Sequence, residues 1–132
     1  MKLLAKIFLE DENLYALGPG RIALLRATAQ FGSLNQAAQS VGMSYRWAWG
    51  RIKDSEKALG VKLLETKPAG RGHPRALTPE GLALLEWYAN LENQVSKVLE
   101  QTVWPEFLNS GSDLQLETSN QPTDPPQLPT RE

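Results

Sequence analysis

The chain contains no cysteine and only one histidine, His73, among its 132 residues. Without cysteine it can form neither a disulfide framework nor a thiolate metal site, which fits a reducing compartment. No apolar run approaches the roughly 20 residues that a membrane span requires. Lys6 and the acidic run Glu10–Glu12 interrupt the first apolar stretch, so we expect no signal peptide. These features predict a cytoplasmic protein with no membrane segment, no bound metal and no cofactor.

Residue patterns that support catalysis are also scarce. The sequence has no Gly-x-Ser-x-Gly, phosphate-loop or metal-ligand pattern. His73 lies between Gly72 and Pro74 in a predicted loop, where a catalytic or metal-binding role is not favoured. Carboxylates such as Glu86 and Glu92 fall on a helix whose outer face we expect to be solvated. We therefore predict that the protein is not an enzyme.

Positive charge is concentrated in the middle of the chain, although the net charge of the whole is −1. Residues 43–79 contain eight lysines and arginines against three acids, whereas residues 80–132 contain two against nine. A basic surface inside an otherwise acidic molecule is typical of a nucleic-acid contact, because the distribution of charge matters more than its sum.

The N-terminal residues predict a β-hairpin that is followed by an apolar helix. Apolar residues alternate from Leu3 to Leu9, residues 10–13 are polar turn material, and Leu14–Leu17 can return as a second strand. Gly18-Pro19-Gly20 breaks the hairpin. From Arg21 to about Phe31 the chain is predicted to be a helix that packs on most of its sides.

Residues 33–59 predict a helix-turn-helix. Ser33-Leu34-Asn35-Gln36 is a capping-box pattern that begins a short helix, and Gly42 ends that helix. The spacing of Ala38 and Gly42 fits this motif, because a small residue permits close helix crossing and glycine accepts a positive φ. Ser44 is a suitable N-cap for a third helix, from about Tyr45 to Leu59. We expect its inward side to comprise Tyr45, Ala48, Trp49, Ile52 and Leu59.

A two-stranded wing is predicted next. Val61–Thr66 is strand-like, residues 67–74 are rich in glycine, proline and positive charge, and Arg75-Ala76-Leu77 can pair back. Thr78-Pro79 is a strong helix start, and the helix should end near Val103, before Trp104-Pro105. Its apolar residues at spacings of three and four predict a dimerisation face. That face comprises Leu84, Tyr88, Leu91, Val95, Val98 and Thr102.

These elements define the predicted fold class: mainly α-helical with a small β component, a winged helix-turn-helix with an N-terminal β-hairpin and a long C-terminal dimerisation helix. We assign residues 1–104 to this DNA-binding and dimerisation domain. Residues 105–132 are rich in proline and acidic residues and have little to bury, so we predict a disordered tail.

The third helix is the predicted recognition helix, and its N-terminal half should enter the major groove. Arg46 and Arg51 are candidates for base contacts, because arginine pairs bidentately with guanine O6 and N7, while Ser44 suits a phosphate. Trp47 fits either DNA contact or partial burial against the wing. Further candidates on this helix are Gly50 and Lys53. On the wing, candidates for phosphate or minor-groove contacts are Lys67, Arg71, His73 and Arg75.

The run from LGPGRIALL to LGVKLLET, with the later LTPEG, resembles the N-terminal DNA-binding domain of the molybdate-responsive regulator ModE, and more distantly the LysR-type winged helix. The segment GSLNQAAQSVGMSYRWAW carries most of the likeness, which covers residues 3 to about 100. The resemblance implies a bacterial transcription regulator that binds an inverted-repeat operator as a homodimer. By matching positions it also implies that Ser44, Tyr45, Arg46 and Trp47 begin the recognition helix.

The sequence departs from ModE after the long helix, where only about 30 residues follow. An oxyanion site needs a folded set of amide and hydroxyl donors, which this tail is not expected to build. Either the regulator does not sense an oxyanion, or a separate oxyanion-sensing protein does so. An alternative function is a protein-interaction module that keeps the winged-helix fold without binding DNA. Strong salt dependence of DNA binding would distinguish the two.

Overall fold

The computed structural model describes residues 1–65 and 76–108, together with the backbone of residues 115–118. The predicted winged helix-turn-helix architecture is confirmed, with four α-helices and short strands. The elements in chain order are β1 (Lys2–Ala5), β2 (Leu9–Asp11), β3 (Leu14–Leu17), α1 (Pro19–Phe31), α2 (Leu34–Ser40), α3 (Tyr45–Leu59), α4 (Pro79–Gln101), a short 3₁₀ turn (Glu106–Leu108) and β4 (Gln115–Thr118).

The N-terminal hairpin is formed by β2 and β3, which pair antiparallel. Its two-residue loop consists of Glu12 and Asn13, and both have positive φ values of 47° and 76°. This is the turn geometry that matches the right-handed twist of paired strands. The predicted first strand, Leu3 to Leu9, is instead divided into β1 and β2. The reason is that β1 has a different pairing partner.

That partner is β4, which lies parallel to β1 with Lys2 opposite Gln115 and Ala5 opposite Thr118. The disorder predicted for residues 105–132 stays a prediction, and within them Glu106–Leu108 form a 3₁₀ turn and Gln115–Thr118 form β4. The backbone amides and carbonyls of β1 offer hydrogen-bonding groups to a second strand. The composition of the tail alone does not reveal that β4 pairs with them. The boundary placed at residue 104 stays a prediction.

The core lies where α1, α2 and α3 meet β3 and the first turns of α4. Small and branched residues fill it, and Leu25, Ala38 and Ile52 are fully buried. Val41 and Met43, between α2 and α3, pack against its edge. Close packing of this kind leaves α3 a single position relative to the other two helices.

One buried cation lies inside this core. The Arg21 side chain is 2% exposed, and its guanidinium carbon is 4.4 Å from the centre of the Tyr15 ring. Its Nη1 donates to Ser55 Oγ at 2.9 Å, and Ser55 Oγ in turn donates to the carbonyl of Ala16. A buried charge is costly unless it is hydrogen-bonded. These contacts satisfy Nη1 and join α1, β3 and α3.

Helix α4 begins as predicted, with the Thr78 hydroxyl accepting from the amide of Gly81 at 3.0 Å. An ion pair of 2.6 Å joins Arg26 of α1 to Glu92 of α4, so the expectation that Glu92 faces solvent was wrong. Among the helices of the described residues, none is long and apolar enough to cross a membrane.

The predicted dimerisation face requires a correction. Tyr88 is 2% exposed within the single chain, and its hydroxyl donates to the carbonyl of Ile7 at 2.7 Å. Burial raises the pKa of Tyr88 to about 12, with the Glu92 carboxylate adding to this effect and Arg26 opposing it. Leu84 also packs against the core of its own chain. The large apolar side chains that α4 exposes are Val98, which belongs to the predicted face, and Leu82 and Trp87, which do not.

Candidate nucleic-acid interface

Helix α3 is set at its angle by the turn that precedes it. Gly42 has a φ of 75°, as predicted, and the amide of Met43 donates to the carbonyl of Ala38 at 2.9 Å. Ser44 then caps α3, because its hydroxyl accepts from the amide of Trp47 at 3.1 Å. The tight turn and the cap together bring α3 out of the core with its N-terminal turn exposed.

The outward side of α3 carries a stripe of four residues: Arg46, Gly50, Lys53 and Lys57. Their spacing of four, three and four residues places them on one helix face. The buried residues Ala48, Ile52 and Ser55 occupy the opposite face. We call these four residues the outward stripe. Three of the four can carry positive charge, so this face of α3 is basic.

Arg46 and Arg51, the two arginines predicted to contact bases, differ in their surroundings. Arg51 is held by its neighbours: its Nη2 donates to Asp54 Oδ2 at 3.1 Å, and its guanidinium lies 4.4 Å from the centre of the Trp47 ring. Arg46 is exposed and forms no ion pair or hydrogen bond with the described part of the chain. Of the two guanidinium groups, that of Arg46 is the one available for a base without first losing a contact.

Two tryptophans border the outward stripe. Trp47 is 56% exposed and Trp49 is 37% exposed, and the ammonium of Lys53 lies 5.1 Å from the centre of the Trp49 ring. The prediction that Trp49 and Tyr45 are inward residues of the core was wrong, since Tyr45 is also exposed. Ser55 and Glu56 take the inward positions. Trp47 was predicted either to contact DNA or to be partly buried against the wing. Its side chain is exposed, and burial against the wing is not tested.

Gly50 lies on the exposed side of α3, next to these two tryptophans. A Cβ added there would meet no atom within 4 Å in the described part of the chain. A glycine inside a helix costs up to about 1 kcal/mol relative to alanine. Packing against the described residues therefore gives no reason for a glycine at this position.

Glu56 fixes the base of the wing to α3, a role that the sequence analysis missed. Its Oε2 accepts from the amides of Leu63 and Leu64 at 2.7 and 3.0 Å, and Oε1 accepts from Lys53 Nζ at 3.0 Å. Burial alone would raise the pKa of Glu56, but these hydrogen bonds and the positive charge of Lys53 outweigh burial and hold the pKa below its ordinary value. No sequence signal distinguishes this glutamate from a solvated helix residue.

The base of the wing is confirmed only as a single bridge. Leu64 pairs antiparallel with Leu77, and the amide of Glu65 donates to the carbonyl of Ala76 at 2.7 Å. Thr78 continues the contact, since its amide donates to the carbonyl of Leu63 at 2.9 Å. The predicted wing contacts Lys67, Arg71, His73 and Arg75 lie outside the described residues, and their roles stay predictions.

Fold and interface together define a winged helix-turn-helix domain. Residues 20–82 match the model of the bacterial regulatory helix-turn-helix protein, lysR family. The chain is 35% identical to the molybdenum-pterin-binding protein MopA of Rhodobacter capsulatus over 127 residues, 92% of this chain and 48% of that protein. It is 34% identical to the DNA-binding transcriptional dual regulator ModE of Escherichia coli (strain K12) over 89 residues, 67% of this chain and 31% of ModE.

Among solved structures, the DNA-binding domain of BenM in complex with benA site 1 DNA aligns with a TM-score of 0.52 and 23% identity. The alignment covers 73% of this chain and all of that one. The predicted resemblance to ModE and to the LysR-type winged helix is confirmed. The chain spans between about a third and a half of the length of the curated relatives that it matches.

The Glu56 contacts generate a prediction about stability and pH. Because the pKa of Glu56 is lowered on folding, its contribution is present above the ordinary value of 4.5 and is lost as the pH falls through the lowered value. Glu56→Gln should therefore lower the free energy of unfolding by about 1–3 kcal/mol at pH 7. The difference from the unsubstituted chain should shrink below pH 4.5.

Urea unfolding at several pH values, followed by circular dichroism, measures this difference. Glu86→Gln on the exposed side of α4 is the matched control, and it should leave the free energy of unfolding nearly unchanged at all pH values. A Glu56→Gln effect that is absent at pH 7, or that persists unchanged at low pH, would contradict the assigned role.

Proposed function

We propose that this protein is a transcription regulator that binds specific double-stranded DNA sequences through α3. The observation that carries the proposal is the outward stripe, where Arg46 lies exposed at the N-terminal end of α3 and forms no ion pair with the described residues. An α-helix fits the major groove of B-DNA, in which arginine distinguishes guanine from the other bases. Among the relatives, the ModE of Escherichia coli is named as a DNA-binding regulator.

The contacts are divided between bases and phosphates in this proposal. Arg46 contacts a guanine, and Trp47, Gly50, Arg51 and Lys53 lie along the same groove. Ser44 and Tyr45, at the start of α3, contact the adjacent phosphate backbone. Wing residues 67–75 contact phosphates or the neighbouring minor groove. Phosphate contacts supply most of the affinity, and base contacts supply the sequence preference.

A homodimer is part of the proposal, with α4 as the pairing helix. Trp87, Leu91 and Val98 fall on one helix face, and Val98 is 63% exposed. This face is rotated about the axis of α4 relative to the predicted dimerisation face, because Leu84 and Tyr88 pack within their own chain. Two copies related by twofold symmetry would place two copies of α3 in successive major grooves, about 10 base pairs apart.

An oxyanion-sensing partner protein also stays within the proposal, because several relatives are named for molybdenum transport or binding. A protein-interaction module without DNA binding is the weaker alternative. The outward stripe of α3 is basic and Arg46 is exposed, and the cations of Arg51 and Lys53 lie over the two tryptophan rings. This surface is less apolar than the centre of a stable protein interface.

Arg46→Ala and Arg71→Ala should have different effects on DNA binding. Loss of a guanine contact by Arg46→Ala should cost about 1–3 kcal/mol and relax the sequence preference at one position. Arg71→Ala should weaken binding to all sequences similarly. Competition binding against a panel of single-position operator variants measures both effects, with Lys97→Ala on α4 as the control. An unchanged preference with Arg46→Ala would show that the recognition-helix assignment is wrong.

Gly50→Ala should separate stability from binding. The substitution should raise the free energy of unfolding by up to about 1 kcal/mol, because alanine favours the helix and the added Cβ meets nothing in the described part of the chain. It should weaken DNA binding if the DNA approaches the backbone of α3 at this point. Thermal unfolding and fluorescence anisotropy with labelled duplex measure the two effects. Equal DNA affinity in the more stable variant would contradict a close approach at Gly50.

A further inference from the structure

A depression at the C-terminal end of α3 lies between the recognition helix and the base of the wing. It has a volume of about 310 Å³ and is open to solvent, and its lining comprises Lys53, Glu56, Lys57, Gly60, Val61 and Lys62. This volume is at the small end of ligand pockets, and four of the six lining residues carry ionisable side chains. These features suit a small anionic group better than an enclosed metabolite. We call it the lysine depression.

The charges around the lysine depression do not cancel. Lys53 and Glu56 neutralise each other through their 3.0 Å ion pair. Lys57 and Lys62 are exposed, and neither ammonium forms an ion pair with the described part of the chain. Two uncompensated positive charges therefore remain at its rim. The C-terminal end of α3 contributes a partial negative charge of about one half. The two lysine charges exceed this partial charge.

The position of the lysine depression relates it to DNA. Lys57 is the last member of the outward stripe, eleven residues beyond Arg46, which corresponds to about 16 Å along the helix axis. The major groove is about 12 Å wide. With the axis of α3 directed across the groove and Arg46 over the bases, Lys57 would lie beyond the groove, at the level of a phosphate backbone. Lys62 approaches the same place from the wing side, because it precedes Leu63 and Leu64, which bind Glu56.

We propose that the lysine depression binds a backbone phosphate of the DNA through Lys57 and Lys62. The inference rests on the proposed function, and it adds two residues that the DNA contacts predicted from the sequence do not include. Because Glu56 holds the wing base against α3, the bound phosphate would fix the duplex against both elements at once. Phosphate contacts carry no sequence information, so this site contributes affinity and register rather than specificity.

The test is the salt dependence of DNA binding by the double variant Lys57→Gln/Lys62→Gln. Loss of the one bound phosphate should reduce the slope of log K against log salt by about 0.9. Between 50 and 200 mM KCl, the double variant should therefore lose roughly three- to fourfold less affinity than the unsubstituted chain. The reduction should be equal for operator and unrelated duplexes. Fluorescence anisotropy with both duplexes measures it.

The charge-matched control is Lys6→Gln/Lys97→Gln, two exposed lysines outside α3 and the wing base, which should keep the original slope. A slope unchanged in Lys57→Gln/Lys62→Gln would overturn the inference while leaving the proposed function standing. Absence of salt-dependent DNA binding by the unsubstituted chain would overturn both. If the variant only loses thermal stability, the lysines serve the helix terminus and the inference is wrong.

A second arm distinguishes a phosphate of the duplex from a free anion. Inorganic phosphate is titrated against the unsubstituted chain while the amide resonances of residues 57–62 are followed by NMR. We expect DNA to shift these resonances at micromolar concentration and inorganic phosphate to require concentrations at least a hundredfold higher. Tight binding of inorganic phosphate, together with an unchanged slope in the double variant, would make this a free-anion site and contradict the proposal.

Discussion

The buried guanidinium of Arg21 is the contact on which the placement of α3 depends. It lies against the Tyr15 ring and donates to Ser55, and the Ser55 hydroxyl donates to the carbonyl of Ala16. A charge taken out of water costs several kcal/mol unless its hydrogen bonds are met. The hydrogen bond of Nη1 and the ring contact offset part of this cost, and they form only when β3, α1 and α3 are arranged in this way. One inward serine thereby fixes the recognition helix against the first helix and the hairpin.

Helix α3 serves both the core and the surface, with different residues for each. The buried residues Ala48, Ile52 and Ser55 pack α3 against the core. The outward stripe bears positive charge and lies on the opposite face. Glu56 lies between these two sides. Its carboxylate accepts from the amides of Leu63 and Leu64 and so holds the wing base against α3. A rigid helix and a wing base held at a fixed distance from it are what a protein needs to contact two features of one duplex.

The sequence was sufficient to predict the elements whose causes are local. The caps at Ser33, Ser44 and Thr78 and the turn at Gly42 depend on neighbouring residues, and all were found where predicted. The resemblance to ModE added the function that those elements serve. Candidate DNA contacts on α3 were also predicted, because the helix period alone indicates which polar side chains lie on the outward face.

The features that were missed depend on contacts between distant residues. Trp49 was predicted to be buried because apolar residues usually face inward, but Ser55 and Glu56 occupy the inward positions through hydrogen bonds to Ala16, Leu63 and Leu64. These polar contacts turn the buried face of α3 away from Trp49.

Tyr88 fits a heptad spacing, yet spacing does not distinguish a partner chain from the same chain. Its hydroxyl binds Ile7, 81 residues away. The pairing of β1 with β4 likewise joins the two ends of the described chain.

The central claim is that the protein binds DNA in a sequence-specific way as a dimer. Selection of bound fragments from random double-stranded DNA by the purified chain tests it most directly. We expect enrichment of an inverted repeat whose half-sites are centred about 10 base pairs apart and contain a guanine that Arg46→Ala no longer selects. A bound pool with no sequence preference, or no retained DNA at low salt, would contradict it.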